Sequence, residues 1–150
     1  MESHKLRHLA YLVIRLALGV ILFAHGSQKL FGWFGGAGLQ STLEFFSKNL
    51  GIPPLLSILD IIVEFFGGLA LILGFLTRFA ALGSTVVMLV AILKVHLANG
   101  FFMNWPLEAG QGHGIEMNIA LLGMSLMLLI TGAGCYSVDH LLLLKFWKNT

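Results

Sequence analysis

Four apolar stretches, each of membrane-crossing length and each carrying ionisable residues, constrain this chain more than any other feature. They run roughly over 9–31, 55–76, 78–98 and 115–133. The first is about 23 residues, or ~34 Å of helix, enough to cross the hydrocarbon core. Lipid offers backbone amides no partner, so such spans must be helical. Only 11% of the 150 residues are charged and 57% are hydrophobic, with a mean hydropathy of +0.89. A soluble domain carries about 25% charged residues. The expected fold class is all-α: an integral membrane four-helix bundle forming one domain over residues 1–150. The lipid bilayer is then the first partner. A net charge of +2 without a basic cluster argues against nucleic acid. The single cysteine, Cys135, excludes an internal disulfide and any C-x-x-C motif.

Lys5 and Arg7 ahead of an apolar run imitate a signal peptide. The run is too long, contains Arg15 and lacks a small-residue cleavage site, so it reads as a retained first helix. Helical spacing places Arg15, Leu18, Gly19, Leu22, His25, Gly26 and Lys29 on one stripe, which should face the bundle. From Gly32 to Pro54 the chain forms a long connector. Trp33 suits the membrane interface, Ser41-Thr-Leu-Glu44 fits a capping box, and Leu39, Leu43, Phe46 and Leu50 share a helical face. A short interfacial amphipathic helix between helices 1 and 2 is expected there.

The second span puts Asp60, Glu64, Gly67, Gly68 and Leu71 on one face, and small residues beside carboxylates let a neighbouring helix approach. In the third, Lys94 lies about 200° from His96, so Lys94 should snorkel while His96 faces inward with Thr85, Leu89 and Ile92. The connector 99–113 carries Phe101, Phe102 and Trp105 at headgroup level. The fourth span opens with Glu116 and Asn118, and 141–147 reads as a short surface helix. Lys5, Arg7, Arg78, Lys145 and Lys148 fall at one set of helix ends against Lys48 at the other, with Lys29 and Lys94 just inside. The positive-inside rule then places both termini in the cytoplasm and both long connectors outside.

Helical rise puts Lys29 ~3 Å, Asp60 ~8 Å, His25 ~9 Å and Glu64 ~14 Å below the outer boundary, with His96 and Glu116 within a turn of it. All six are expected to share one polar pocket in the outer half. A lone ionised Glu64 at that depth would be costly, so it should be protonated or paired. Arg15 lies nearer the inner side and is expected to snorkel or pair there. His25, Glu64 and His96 are the candidate proton-handling (catalytic) residues. Lys29, Asp60, Glu116, Trp33 and Phe101 are candidates for holding a ligand. Apolar walls with carboxyl and imidazole groups suit a quinone head group. Haem ligated by His25 and His96 ranks behind it. His25, His96, Glu64 and Glu116 include metal-ligand types without diagnostic spacing, so no metal site is assigned. No phosphate loop and no Ser–His–acid arrangement is legible.

The motif Arg15…Gly19…Phe23-Ala-His25-Gly26…Lys29-Leu30-Phe31-Gly32…Gly35-Gly36 resembles the first-helix signature of the DoxX family. Glu64-Phe-Phe-Gly67-Gly68…Gly74-Phe-Leu-Thr77-Arg78 resembles its second signature. His96…Gly100-Phe101-Phe102, Glu116 and Gly132-Ala-Gly134…Ser137…Asp139 continue the pattern. The resemblance implies a small bacterial inner-membrane protein, related to the membrane subunit of thiosulfate:quinone oxidoreductases and tied to sulfur or thiol oxidation. It also implies a partner redox protein or a homo-oligomer, because this chain has no cysteine pair of its own to carry electrons. His25, Lys29, Glu64, Arg78, His96 and Glu116 carry over, with Arg78 expected to set topology or cap helix two. Two other classes stand beside the quinone-linked oxidoreductase subunit. One is a non-enzymatic assembly or docking subunit with structural charges. The other is a proton- or metal-coupled small-solute carrier, disfavoured by the lack of an internal repeat.

Overall fold

The computed structural model describes residues 2–148, and among them it is helical without strands. The elements are α1 (Glu2–Phe31), a 3-10 turn (Trp33–Gly35), α2 (Gly38–Leu50), α3 (Pro54–Leu73), α4 (Thr77–Asn99), α5 (Glu116–Thr131) and α6 (Val138–Lys148). Helices α1, α3 and α4 are long and apolar enough to cross a membrane, and α5 is a shorter apolar helix. Together they form the membrane helical bundle expected from the apolar spans. The first helix begins at Glu2 rather than Leu9, because nothing in Glu2–His8 breaks a helix once the apolar run propagates it. Between α1 and α3 lies the expected interfacial helix, though it starts at Gly38. Ser41 and Glu44 therefore sit inside α2 and form no capping box; Glu44 instead accepts from Lys48 one turn on, at 3.1 Å.

In lipid the drive to bury apolar surface is absent, so helices associate through close packing and hydrogen bonds. Glycine supplies the closeness between α1 and α3. A Cβ on Gly19 would lie 2.9 Å from the Gly68 carbonyl oxygen, and one on Gly26 would overlap the Phe65 backbone. Between α4 and α5 the bond is polar: Ser84 and Ser125, both fully buried, share a 2.8 Å hydroxyl hydrogen bond. Leu18, Leu22, Leu71, Ala81, Leu121 and Leu128 fill the space these contacts enclose.

The end of the bundle opposite the two long connectors is locked by charge. Arg15 is buried and donates to the carbonyls of Ala133 (2.9 Å) and Tyr136 (2.6 Å). It neither snorkels nor pairs with a carboxylate, because the chain leaving α5 turns back over it with unsatisfied carbonyls. Asp139 accepts from the amides of Leu76 (2.7 Å) and Thr77 (3.0 Å), satisfying orphan donors at the start of α4. Leu76 is held at φ 47° by that contact. Arg78 caps α5 rather than the second span: its Nη2 donates to Ile130 at 3.1 Å.

Gly26→Ala should force α1 and α3 apart and lower stability by roughly 1–3 kcal/mol, the range for overpacking a tight contact. Gly123→Ala, where an added Cβ meets nothing within 4 Å, should leave it unchanged or slightly raised. Thermal unfolding in detergent compares the two.

Candidate functional site

Polar groups at the connector end divide into two sets rather than one pocket. The first is built by α1 and α3. Lys29, in the last turn of α1, extends its ammonium to α3 and donates to Asp60 Oδ2 at 2.6 Å. The same Nζ lies 2.7 Å from Glu64 Oε2, off the line of a hydrogen bond, so that contact is an ion pair by distance alone. Side-chain exposure is 23% for Lys29, 19% for Asp60 and 6% for Glu64, so Glu64 is the deep member. One ammonium between two carboxylates leaves one negative charge over when all are ionised. In a low-dielectric setting such an excess charge favours a further hydrogen-bond donor.

The backbone at Glu64 is itself unusual. Residues Val63–Gly67 form a π turn within α3, a feature frequent at functional sites because one extra residue re-aims the side chains around it. Here the turn lies against Gly26. Beside it runs a chain of rings: Phe23 and Phe31 contact Phe65 at centroid distances of 5.0 and 5.4 Å, and Trp33 stacks on Phe31 at 4.9 Å. The stack connects the neighbour of Glu64 to exposed Trp33. From above, α2 lays the Phe46 ring 5.2 Å from Lys29 Nζ, and Thr42 donates to the Lys29 carbonyl at 3.4 Å. On the outer side of α2, Lys48 and then Gln40 hold the Glu44 carboxyl below its usual range.

His25 does not join this set. It lies on α1 one turn before Lys29 but is exposed on the surface of the bundle, because the buried stripe of α1 centres on Leu18, Leu22 and Gly26 and leaves residue 25 at its edge. His96 and Glu116 belong to the second set, in the connector between α4 and α5. His96 Nδ1 is 2.8 Å from the His113 carbonyl oxygen, so it donates there. Glu116 Oε2 accepts from the Met103 amide at 3.0 Å, and His113 Nδ1 accepts from the Asn104 amide at 3.2 Å. Buried Asn104 ties Glu108 and Gln111 into the same loop. These side chains satisfy backbone groups and fasten the loop. Phe101 is exposed on its outside. A second π turn, Ile92–His96, alters the register at the end of α4; Thr85 is buried, Leu89 is exposed, and Lys94 points outward as expected. Among the described residues, no three His, Cys, Asp or Glu side chains are grouped to hold a metal.

Sequence reasoning missed Asp139 as the cap of α4, Asn104 and His113 as loop fasteners, and Phe46 with Thr42 above Lys29. Phe46 had a signal, since it lies on the apolar face of α2, but its pairing with a cation depends on how α2 folds back. Lys29→Met should cost about 3–5 kcal/mol, the penalty for stranding buried charge. Adding Glu64→Gln to Lys29→Met should restore a large part of the loss. A double-mutant cycle on thermal stability measures both.

Comparison with known proteins agrees with this architecture. The DoxX family model matches residues 10–97. The chain is 34% identical over 138 residues to "Inner membrane protein YqjF" of Escherichia coli, covering 92% of this chain and 95% of that one. It is 27% identical over 128 residues to "Putative oxidoreductase CatD" of Bacillus subtilis, covering 85% and 83%. No solved structure matches it at a significant level. With more than half its length matched by that family and a relative above 30% identity aligned nearly end to end, the chain belongs to the DoxX family.

Proposed function

We propose that this protein is a quinone-interacting membrane subunit of a bacterial redox system concerned with sulfur or thiol oxidation, seated in the inner membrane with both termini in the cytoplasm. The observation that carries the reading is buried Glu64 in its π turn, sharing the Lys29 ammonium with Asp60 at the base of an aromatic stack. The donor set suits a quinone head group: an ammonium for a carbonyl oxygen, and carboxyl groups to give or take a proton. A bound quinone would supply the two-electron chemistry that this chain lacks. Lys29 would orient the ring, Glu64 would hold the proton at its Oε2, and Asp60 would keep the ammonium in place. An apolar cleft of about 180 Å³ is lined by Leu30, Ile58, Ile61, Ile62 and Phe66 among others, of which Leu30 and Ile61 are the chain neighbours of Lys29 and Asp60. The relatives' names point the same way, one calling its protein an oxidoreductase and the other placing its protein in the inner membrane. Haem fits less well: His25 is exposed, half-buried His96 has its Nδ1 engaged by His113, and the two are not held as paired axial ligands.

One observation favours the docking reading instead. Lys29 already has two carboxylates and the Phe46 ring around it, so the set is self-sufficient as a helix clasp. Lipid extraction of the purified protein separates the two. Quinone should be recovered in near-stoichiometric amount, and Glu64→Gln should reduce it about tenfold, the worth of one charge-assisted hydrogen bond. Recovery no higher than from an unrelated membrane protein removes the quinone reading. Glu64→Gln protein that is depleted only in proportion to its lost stability supports the clasp.

A further inference from the structure

The two connectors at the same end of the bundle are built to opposite rules. The one between α4 and α5 is sewn to itself: Gly114 donates to the Phe102 carbonyl, Ile115 to Gly100 and Glu116 to Phe101, at 2.9–3.1 Å. Glu116, Asn104 and His113 add the side-chain bonds described above. The connector that contains α2 has few such ties. Glycines with left-handed backbone stand at both of its ends, Gly32 and Gly35 before α2, Gly38 as its first residue and Gly51 after it (φ 63–79°). Thr42 is its one buried residue within the helix, through a long 3.4 Å hydrogen bond. Beneath α2, against α3, the cleft of about 180 Å³ is lined by Leu39 and Leu43 from above and Ile58, Ile61 and Ile62 from below. A gap of that size forfeits the dispersion contacts that hold packed helices together.

Phe46 projects from this loosely held helix onto Lys29. We propose that α2 is a hinged roof over the Lys29–Asp60–Glu64 set, swinging on its flanking glycines, with Phe46 as the side chain that closes it. The open state uncovers the ion set and joins it to the apolar cleft, giving a head group at the membrane interface its way in. That last role rests on the quinone reading; the hinge itself does not. Phe46 is a positioning residue that shields the ammonium and sets the balance between closed and open states.

The test is carboxyl labelling in lipid nanodiscs with a water-soluble carbodiimide and an amine, read peptide by peptide. Exposed Glu44 serves as the internal standard. Phe46→Ala should raise Asp60 labelling about fivefold relative to Glu44, the order of a lost cation–π contact. Phe46→Leu, which keeps apolar bulk without the ring, should fall between that variant and the wild type. Equal Asp60 labelling in all three proteins overturns the roof. If Phe46→Ala does not fold, Phe46→Leu against the wild type decides the matter on the same labelling. Quinone recovered from the same preparations is a separate readout: labelling that rises without any quinone leaves the roof standing and removes the quinone.

Discussion

A lysine ammonium held by two carboxylates inside an apolar bundle is the interaction around which the connector end is arranged. None of the three charges is tolerable alone at membrane depth, so α1 and α3 must meet wherever they are placed. The meeting is made feasible by Gly19, Gly26 and Gly68, which bring the two backbones into contact. The π turn at Val63–Gly67 then adjusts where Glu64 points. Charge, close packing and helix distortion are parts of one solution to the same constraint.

The opposite end meets the constraint differently. Arg15 has no carboxylate hydrogen-bonded to it; it satisfies carbonyls where the chain emerges from α5. Asp139 satisfies amides where the chain enters α4. These residues tie α1, the α3–α4 turn and the start of α6 together by bonds to the backbone, so this end reads as a fastening, although an open apolar groove of about 430 Å³ runs past the turn at Leu73, Phe75, Leu76 and Phe79. The connector end carries one ammonium between two carboxylates under a loosely tied helix. That asymmetry favours the connector end as the working face of the protein.

Much of the fold was legible because membrane depth and helical period leave few alternatives. The apolar spans, the interfacial helix and the inward stripe of α1 all follow from spacing alone. Depth placed Lys29, Asp60 and Glu64 near one boundary together with His25, His96 and Glu116, but did not say that Lys29 would take both carboxylates. Depth could not separate groups at one level but at different angles. His25 is one turn from Lys29 yet exposed, and His96 and Glu116 were drawn away by a loop whose course depends on Asn104 and His113.

By itself the amino-acid sequence determined that the chain is a helical membrane bundle and that Lys29, Asp60, Glu64, His25, His96 and Glu116 lie toward one end of it, because hydropathy and the cost of charge in lipid act locally along the chain. Only the tertiary structure decided which of those residues touch. Contact depends on helix rotation, on π turns that shift the register at Glu64 and His96, and on backbone groups of distant loops competing for the same side chains. Those quantities are set by the packing of several helices at once, and no periodicity within one span records them.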